Sequence, residues 1–408
     1  MGRVADRAGR RAGSHGGTGD HWGADGRRSR ASVGCHRAHR HVRGGRRRDD
    51  RRHAARPPPF AAVALARARR RPGRDRGVRD ALSSGRSRRC CSPVGKNGPV
   101  NIPLTLTRTD VEAAQVRIHT GIRRTPVLEI HGDELGVPAR VALKLELLQH
   151  TGSFKARGAL NSVLTADPLP AGVAAVSGGN HGAAVAWAAA HVGIAADVFV
   201  PSLATPEKID RVRGYGGTAH VVDGVVADAF KVGMAWAEEH GVALIHPYEQ
   251  AGTICGQGTL GLELADQVPD ADVVVVGCGG GGLYSGLAIA LDPTVQPVEP
   301  ERCANLHAAL AAGRPVPVEV GGVAADSLGP AEVGRTAFEI ARAAGVQVPL
   351  VSDDEILAAR AWLWQRCRLL AEPGACVALA GLMTGRVDVH PGDTVVVVVS
   401  GGNNPAVP

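Results

Sequence analysis

Five consecutive valines, Val395 to Val399, constrain the fold more than any other stretch of this chain. A strand with one wet face alternates apolar and polar residues, so an unbroken β-branched run needs cover on both faces, as parallel sheets wrapped by helices provide. From about Thr125 onward, short apolar runs alternate with Ala-rich amphipathic segments in the manner of such a sheet. The pattern predicts strands at Val141 to Leu147, Val173 to Val176, Ala196 to Pro201, Ala219 to Val222, Ala243 to His246, Val273 to Val276 and Val395 to Val399. Helices are predicted at Phe154 to Leu164, His181 to His191, Pro206 to Tyr215, Val226 to His240, Leu283 to Ala290 and Asp353 to Arg368. The expected architecture is α/β with two parallel-sheet lobes: a large lobe from residues 94–170 and 247–408, and a small lobe from 171–246.

Composition divides the chain before the first predicted strand. Residues 1–100 hold 26 Arg and one Lys against seven Asp, a balance of +20, which leaves 20 basic and 32 acidic residues, or −12, for the rest. The net charge of +8 therefore describes neither part and does not mark a protein that seeks nucleic acid or an anionic membrane. Residues 1–93 lack periodic apolar positions and read as a disordered basic extension. Lys96, Asn97, Asn101 and Ile102 arrive together after a tract almost free of these residue types, as when GC-rich DNA is translated out of frame, so a true start near Val94 is expected. An Arg-rich nucleic-acid arm and a targeting peptide are the other readings. No apolar run of about 18 residues suggests a membrane span. Eight cysteines without a C-x-x-C pair read as reduced thiols of a cytoplasmic protein, and Cys35 with His36, His39 and His41 lacks the second ligand pair of a zinc site.

Three loops fall at strand ends, where open parallel sheets bind ligands. Ser177-Gly178-Gly179-Asn180-His181-Gly182 precedes an Ala-rich helix and offers backbone N–H groups, two polar side chains and a helix start to an anion. Gly279, Gly280, Gly281 and Gly282, followed by Leu283, form a cradle unobstructed by side chains. Ser400-Gly401-Gly402-Asn403 follows the valine strand. The second loop also fits G-x-G-x-x-G, with Glu299 seventeen residues beyond Gly282, so a dinucleotide site is a competing reading. Against it stands Lys155, at a helix start behind a Gly-Ser-Phe turn, where partial desolvation would free its amine for Schiff-base chemistry.

Five motifs carry a resemblance. The run Leu143 to Asn161, the loop and helix Ser177 to Gly193, Gly256 to Leu264, the glycine loop, and Glu372 to Ala375 resemble, in collinear order, the pyridoxal-phosphate-dependent serine/threonine dehydratases of the tryptophan synthase β-subunit fold, fold type II. The resemblance spans about Thr105 to Asn403. It implies pyridoxal 5'-phosphate as cofactor, an amino acid substrate and a homodimer, whereas this chain's own departures from the pattern leave no metal residue expected. It further implies that Lys155 carries the cofactor, Phe154 packs on its ring and Asn180 meets its 3-hydroxyl. Gly279, Gly280, Gly281, Gly282 and Leu283 would hold the phosphate, and Ser400 would face the pyridine nitrogen. Ser177, Asn180 and His181 would bind the substrate carboxylate. The implied reaction is β-elimination from a hydroxyamino acid such as L-threonine or L-serine, with an ammonia-lyase acting on 3-hydroxyaspartate as the alternative. Gly178 stands where the related serine racemases carry a second base, which disfavours racemisation. Cys303 and Asn305 after Glu299 depart from the family's cation site.

Overall fold

In the computed structural model, which describes residues 105–165, 171–404 and 406–408, the valine run lies inside a sheet. The expectations for residues 1–93, including the Cys35 and histidine cluster, fall outside the described residues. Among the described residues ten strands occur in chain order: β1 (Val127–His131), β2 (Arg140–Leu145), β3 (Gly172–Val176), β4 (Ala195–Pro201), β5 (Thr218–Val222), β6 (Ala243–Ile245), β7 (Val273–Gly277), β8 (Thr294–Pro300), β9 (Leu350–Val351) and β10 (Thr394–Val399). They form a six-stranded sheet of order β1-β2-β10-β7-β8-β9 and a four-stranded sheet of order β5-β4-β3-β6. All pairings are parallel except β1 with β2, whose connection, residues 132–139, is too short for a crossover.

β10 explains its own composition. Val395 is paired with Val141 of β2 and Val273 of β7, and all six residues of the strand are buried. Val395, Val397 and Val399 pack with Ile356, Ala359 and Leu379 on one face, while Val396 and Val398 pack with Leu260, Leu264 and Leu287 on the other. Burying one such side chain contributes about 1.5–3 kcal/mol, so neither face tolerates a polar residue cheaply.

Between β2 and β7 the chain departs along the helix Lys155–Leu164, builds the four-stranded sheet, and returns along the helix Ala251–Gln267. The returning helix carries four internal glycines, which make its sequence read as broken. They are instead points of close approach: a Cβ on Gly256 would lie 2.6 Å from the Gly158 Cα, and one on Gly258 would lie 2.8 Å from the Gly286 carbonyl oxygen. β8 escapes a pattern search because Pro297 and Pro300 punctuate it. The predicted helix Asp353 to Arg368 is regular only over Asp353–Trp362. It widens into a π-turn at Leu363–Cys367 and stops at Arg368, whose φ of 57° is left-handed. The Leu369 N–H then donates back to the Leu363 carbonyl at 3.2 Å, closing the end in the way a glycine usually does. Among the described residues, no helix is long and apolar enough to cross a membrane.

Candidate functional site

Lys155 opens its helix because the preceding turn is pinned to the loop that follows β10. The Phe154 N–H donates to the Ser400 carbonyl at 3.1 Å, Ser153 bridges Gly401, and the Gly402 N–H donates to the Gly152 carbonyl at 2.9 Å. Thr151 takes a left-handed φ of 61° to make this turn. The Lys155 Nζ donates to the Pro247 carbonyl at 2.7 Å and lies 5.0 Å from the centre of the Phe154 ring. Burial pushes its amine down from 10.5 to about 8, against the opposing pull of the Glu372 carboxylate. Beside it, the hydroxyls of Thr151 and Ser153 are buried without a protein partner.

Asn180 begins the helix Asn180–Val192, and its amide orientation is fixed from both sides. Its Nδ2 donates to Glu372 Oε1 at 2.7 Å, and its Oδ1 accepts from Asn403 Nδ2 at 2.7 Å. Asn403 Nδ2 also donates to the Thr151 carbonyl at 2.7 Å, which joins the loops after β2, β3 and β10 in one chain of bonds. One N–H of Asn180 is left for another acceptor. Glu372 belongs to a motif legible in the sequence, yet its role in holding Asn180 was not; burial pushes its carboxyl up, opposed by the Asn180 bond.

Ser177 accepts the Gly179 N–H at 3.1 Å and so shapes its own loop. A Cβ on Gly178 would lie 2.8 Å from Ala204 Cβ and 2.9 Å from Val200 Cγ1, so the position has no room for a larger residue without a shift. His181 is buried and its Nε2 donates to the Ile245 carbonyl at 2.9 Å, which assigns the proton to that nitrogen and leaves Nδ1 bare. Burial, then the Lys155 charge, lowers His181 to about 3. His246, absent from the sequence-derived site, is lowered to about 4 by the same causes, and its Nδ1 accepts the Glu249 N–H at 2.9 Å. Both imidazoles are neutral at physiological pH.

The glycine loop lies at the end of β7 and runs into the helix Gly282–Ala290. Gly281 has a φ of 86°, and a Cβ there would overlap Ala337. A Cβ on Gly280 would overlap the Tyr248 ring, and one on Gly282 would lie 2.8 Å from the Tyr248 Cα. Tyr248 directly follows Pro247, so the carbonyl that accepts from Lys155 and the wall over the glycines belong to one short segment. Leu283 is buried beneath the loop. Cys278 is buried too, its thiol turned to the Gly279 carbonyl and pushed well up by burial, as befits a small core residue. Farther along, both Glu299 oxygens accept backbone N–H groups, from Leu306 and His307, each at 2.9 Å, and burial pushes this carboxyl up to about 8.

Three loops at parallel strand ends, a cradle of four glycines and a half-buried, neutralisable lysine define a class: an α/β enzyme that holds an anionic aldehyde cofactor through an amine. Residues 118–401 match the family described as pyridoxal-phosphate dependent enzymes, and the chain belongs to that family, whose cofactor is pyridoxal phosphate. It is 35% identical over 312 residues to an L-threonine ammonia-lyase of Geobacter sulfurreducens, covering 74% of this chain and 76% of that one. It is 34% identical over 301 residues to an L-threo-3-hydroxyaspartate ammonia-lyase of Pseudomonas sp, covering 72% and 94%. The crystal structure of a T.th. threonine deaminase superposes with a TM-score of 0.69 at 35% identity, covering 74% of this chain and 100% of that one. A maize serine racemase structure gives 0.69 at 32% identity, covering 73% and 94%. The fold is therefore the fold type II arrangement expected from the motifs.

Proposed function

We propose that this chain catalyses the pyridoxal-phosphate-dependent β-elimination of a hydroxyamino acid, L-threonine or L-serine, to a 2-oxo acid and ammonia. The observation that carries the reading is the Lys155 amine, lowered to about 8 and held at 2.7 Å from the Pro247 carbonyl where three loops meet. The orphaned hydroxyls of Thr151 and Ser153, and a loop after β7 whose Gly280, Gly281 and Gly282 have no room for a side chain, suit a polar, phosphorylated molecule beside that amine. The names of the similar ammonia-lyases support the same chemistry.

The cofactor, when bound, draws electrons from the substrate Cα and makes its hydrogen acidic. In this proposal Gly279, Gly280, Gly281, Gly282 and Leu283 hold the phosphate through backbone N–H groups, and Phe154 packs against the ring. Asn180 turns its remaining N–H to the 3-hydroxyl, and Ser400 presents a hydroxyl to the ring nitrogen. Ser177, Asn180 and His181 bind the substrate carboxylate at the start of the helix Asn180–Val192, where N–H groups favour an anion. Lys155 then takes the Cα proton at Nζ as general base. The position opposite holds Gly178, which offers no second base, so elimination is favoured over racemisation. A cytoplasmic location and a homodimer complete the proposal, and the five cysteines among the described residues are all free thiols, as a reducing compartment permits.

A 2-oxo acid release assay over L-serine, L-threonine, their D-forms and L-threo-3-hydroxyaspartate tests the reaction and ranks the substrates. Lys155→Ala is expected to abolish turnover and the visible absorbance of the holoenzyme. Retained turnover would refute the role of Lys155.

A further inference from the structure

Arg157 lies two residues beyond Lys155 and is fully buried. Its Nε and Nη2 donate to the two oxygens of Glu146, each at 2.8 Å, and Nη2 also donates to Glu263 Oε2 at 2.9 Å. Glu263 Oε1 accepts from Lys144 Nζ at 2.5 Å and from the Thr125 N–H at 2.8 Å. Two cations and two anions thus share one dry interior with no net charge. They come from β2 (Lys144), the turn after it (Glu146), the helix Lys155–Leu164 (Arg157) and the helix Ala251–Gln267 (Glu263).

Stability is a poor account of this cluster, because exchanging buried ion pairs for apolar residues is often neutral or stabilising, by about 1–4 kcal/mol. Geometry is a better one. The two helices touch backbone to backbone: a Cβ on Gly256 would lie 2.7 Å from the Arg157 carbonyl oxygen, and one on Gly158 would lie 2.8 Å from the Thr253 carbonyl oxygen. Such a contact lacks the ridges that stop one helix sliding along another. Bidentate charged hydrogen bonds have fixed lengths and directions and supply that stop. Pro247, which accepts from Lys155 Nζ, stands four residues before the returning helix. A slip of one residue along the helix axis is about 1.5 Å, more than a hydrogen bond tolerates.

We propose that the Arg157, Glu146, Glu263 and Lys144 cluster is a register pin that aims the Lys155 amine at the cofactor loops, with Arg157 and Glu263 as positioning residues. The inference rests on Lys155 being the cofactor lysine. Two variants test it in the full chain: Arg157→Lys, and a charge-free combination of Lys144→Met, Glu146→Gln, Arg157→Met and Glu263→Gln. Thermal midpoint, the rate at which apoenzyme captures pyridoxal phosphate, kcat and KM are measured for each. The charge-free protein is expected to melt near the parent and to bind the cofactor. Its capture rate and kcat should nevertheless fall by about 10²-fold, the loss that a displacement of about 1 Å can cause, with KM little changed. Arg157→Lys is expected to lie between the two. A folded charge-free variant with parental capture rate and kcat would overturn the proposal. If that variant does not fold, an Arg157→Lys protein with parental capture and turnover overturns it instead, and slowed capture supports it. A parent chain that captures the cofactor but releases no 2-oxo acid would sink the proposed reaction while leaving the capture comparison intact.

Discussion

The lowered amine of Lys155 makes cofactor capture a sharp test of the site. Burial moves this group from 10.5 to about 8, which corresponds to about 3 kcal/mol of preference for the neutral amine. The neutral form attacks an aldehyde and the ammonium does not. At pH 7.5 an amine titrating near 8 is about one quarter neutral, against about one part in a thousand for an ordinary lysine, a gain of about 200-fold in reactive fraction. The sign follows: capture of pyridoxal phosphate by the apoenzyme should quicken about tenfold from pH 6 to 7 and level off above about 9, whereas a free lysine analogue keeps accelerating beyond 10. Stopped-flow absorbance after mixing apoenzyme with pyridoxal phosphate, corrected by the same series with the analogue, reads both curves. Glu372 supplies a second arm, because its charge opposes the lowering. Glu372→Gln should move the midpoint further down. A parental midpoint above about 9.5, or an upward move on that substitution, would refute the reasoning.

Gly281→Ala should weaken cofactor binding and lower stability by about 1–3 kcal/mol, because the left-handed φ of 86° and the overlap with Ala337 oppose any Cβ; titration of apoenzyme and thermal melts measure both effects. Gly178→Ser should cost about 1–3 kcal/mol against Ala204 and Val200 and, by placing a hydroxyl where Gly178 offers no second base, should raise racemisation relative to elimination, which chiral chromatography of L-serine incubations checks. Arg368→Gly should raise stability by about 1 kcal/mol, since glycine occupies the left-handed cap without strain, and a lowered melting temperature would contradict this.

Legibility in the sequence followed the physics of each segment. The strands β3, β4, β5, β7 and β10 are short apolar runs between turn residues, and period alone locates them to within a residue or two. The helix Ala251–Gln267 was hidden because its glycines encode a neighbour's backbone, which only the folded chain supplies. The same holds in the site. Lys155, Asn180 and the glycine loop announce themselves through local motifs. Glu372 holding Asn180, and His246 beside Lys155, depend on contacts between residues far apart in the chain, for which the sequence carries no spacing rule.

The pinning of the Lys155 turn by Ser400 and Gly401 also sets a timetable for synthesis. β10 follows the other nine strands of the described residues, yet it lies between β2 and β7, and the loop after it holds the lysine turn in place. In synthesis β2 and β7 precede the strand that joins them, so neither their mutual placement nor the Lys155 turn can be completed before the valine strand arrives. Until then the bordering edges of β2 and β7 lack their partner and are open to pairing with other strands. The turn that carries Lys155 is thus completed only once β10 is in place.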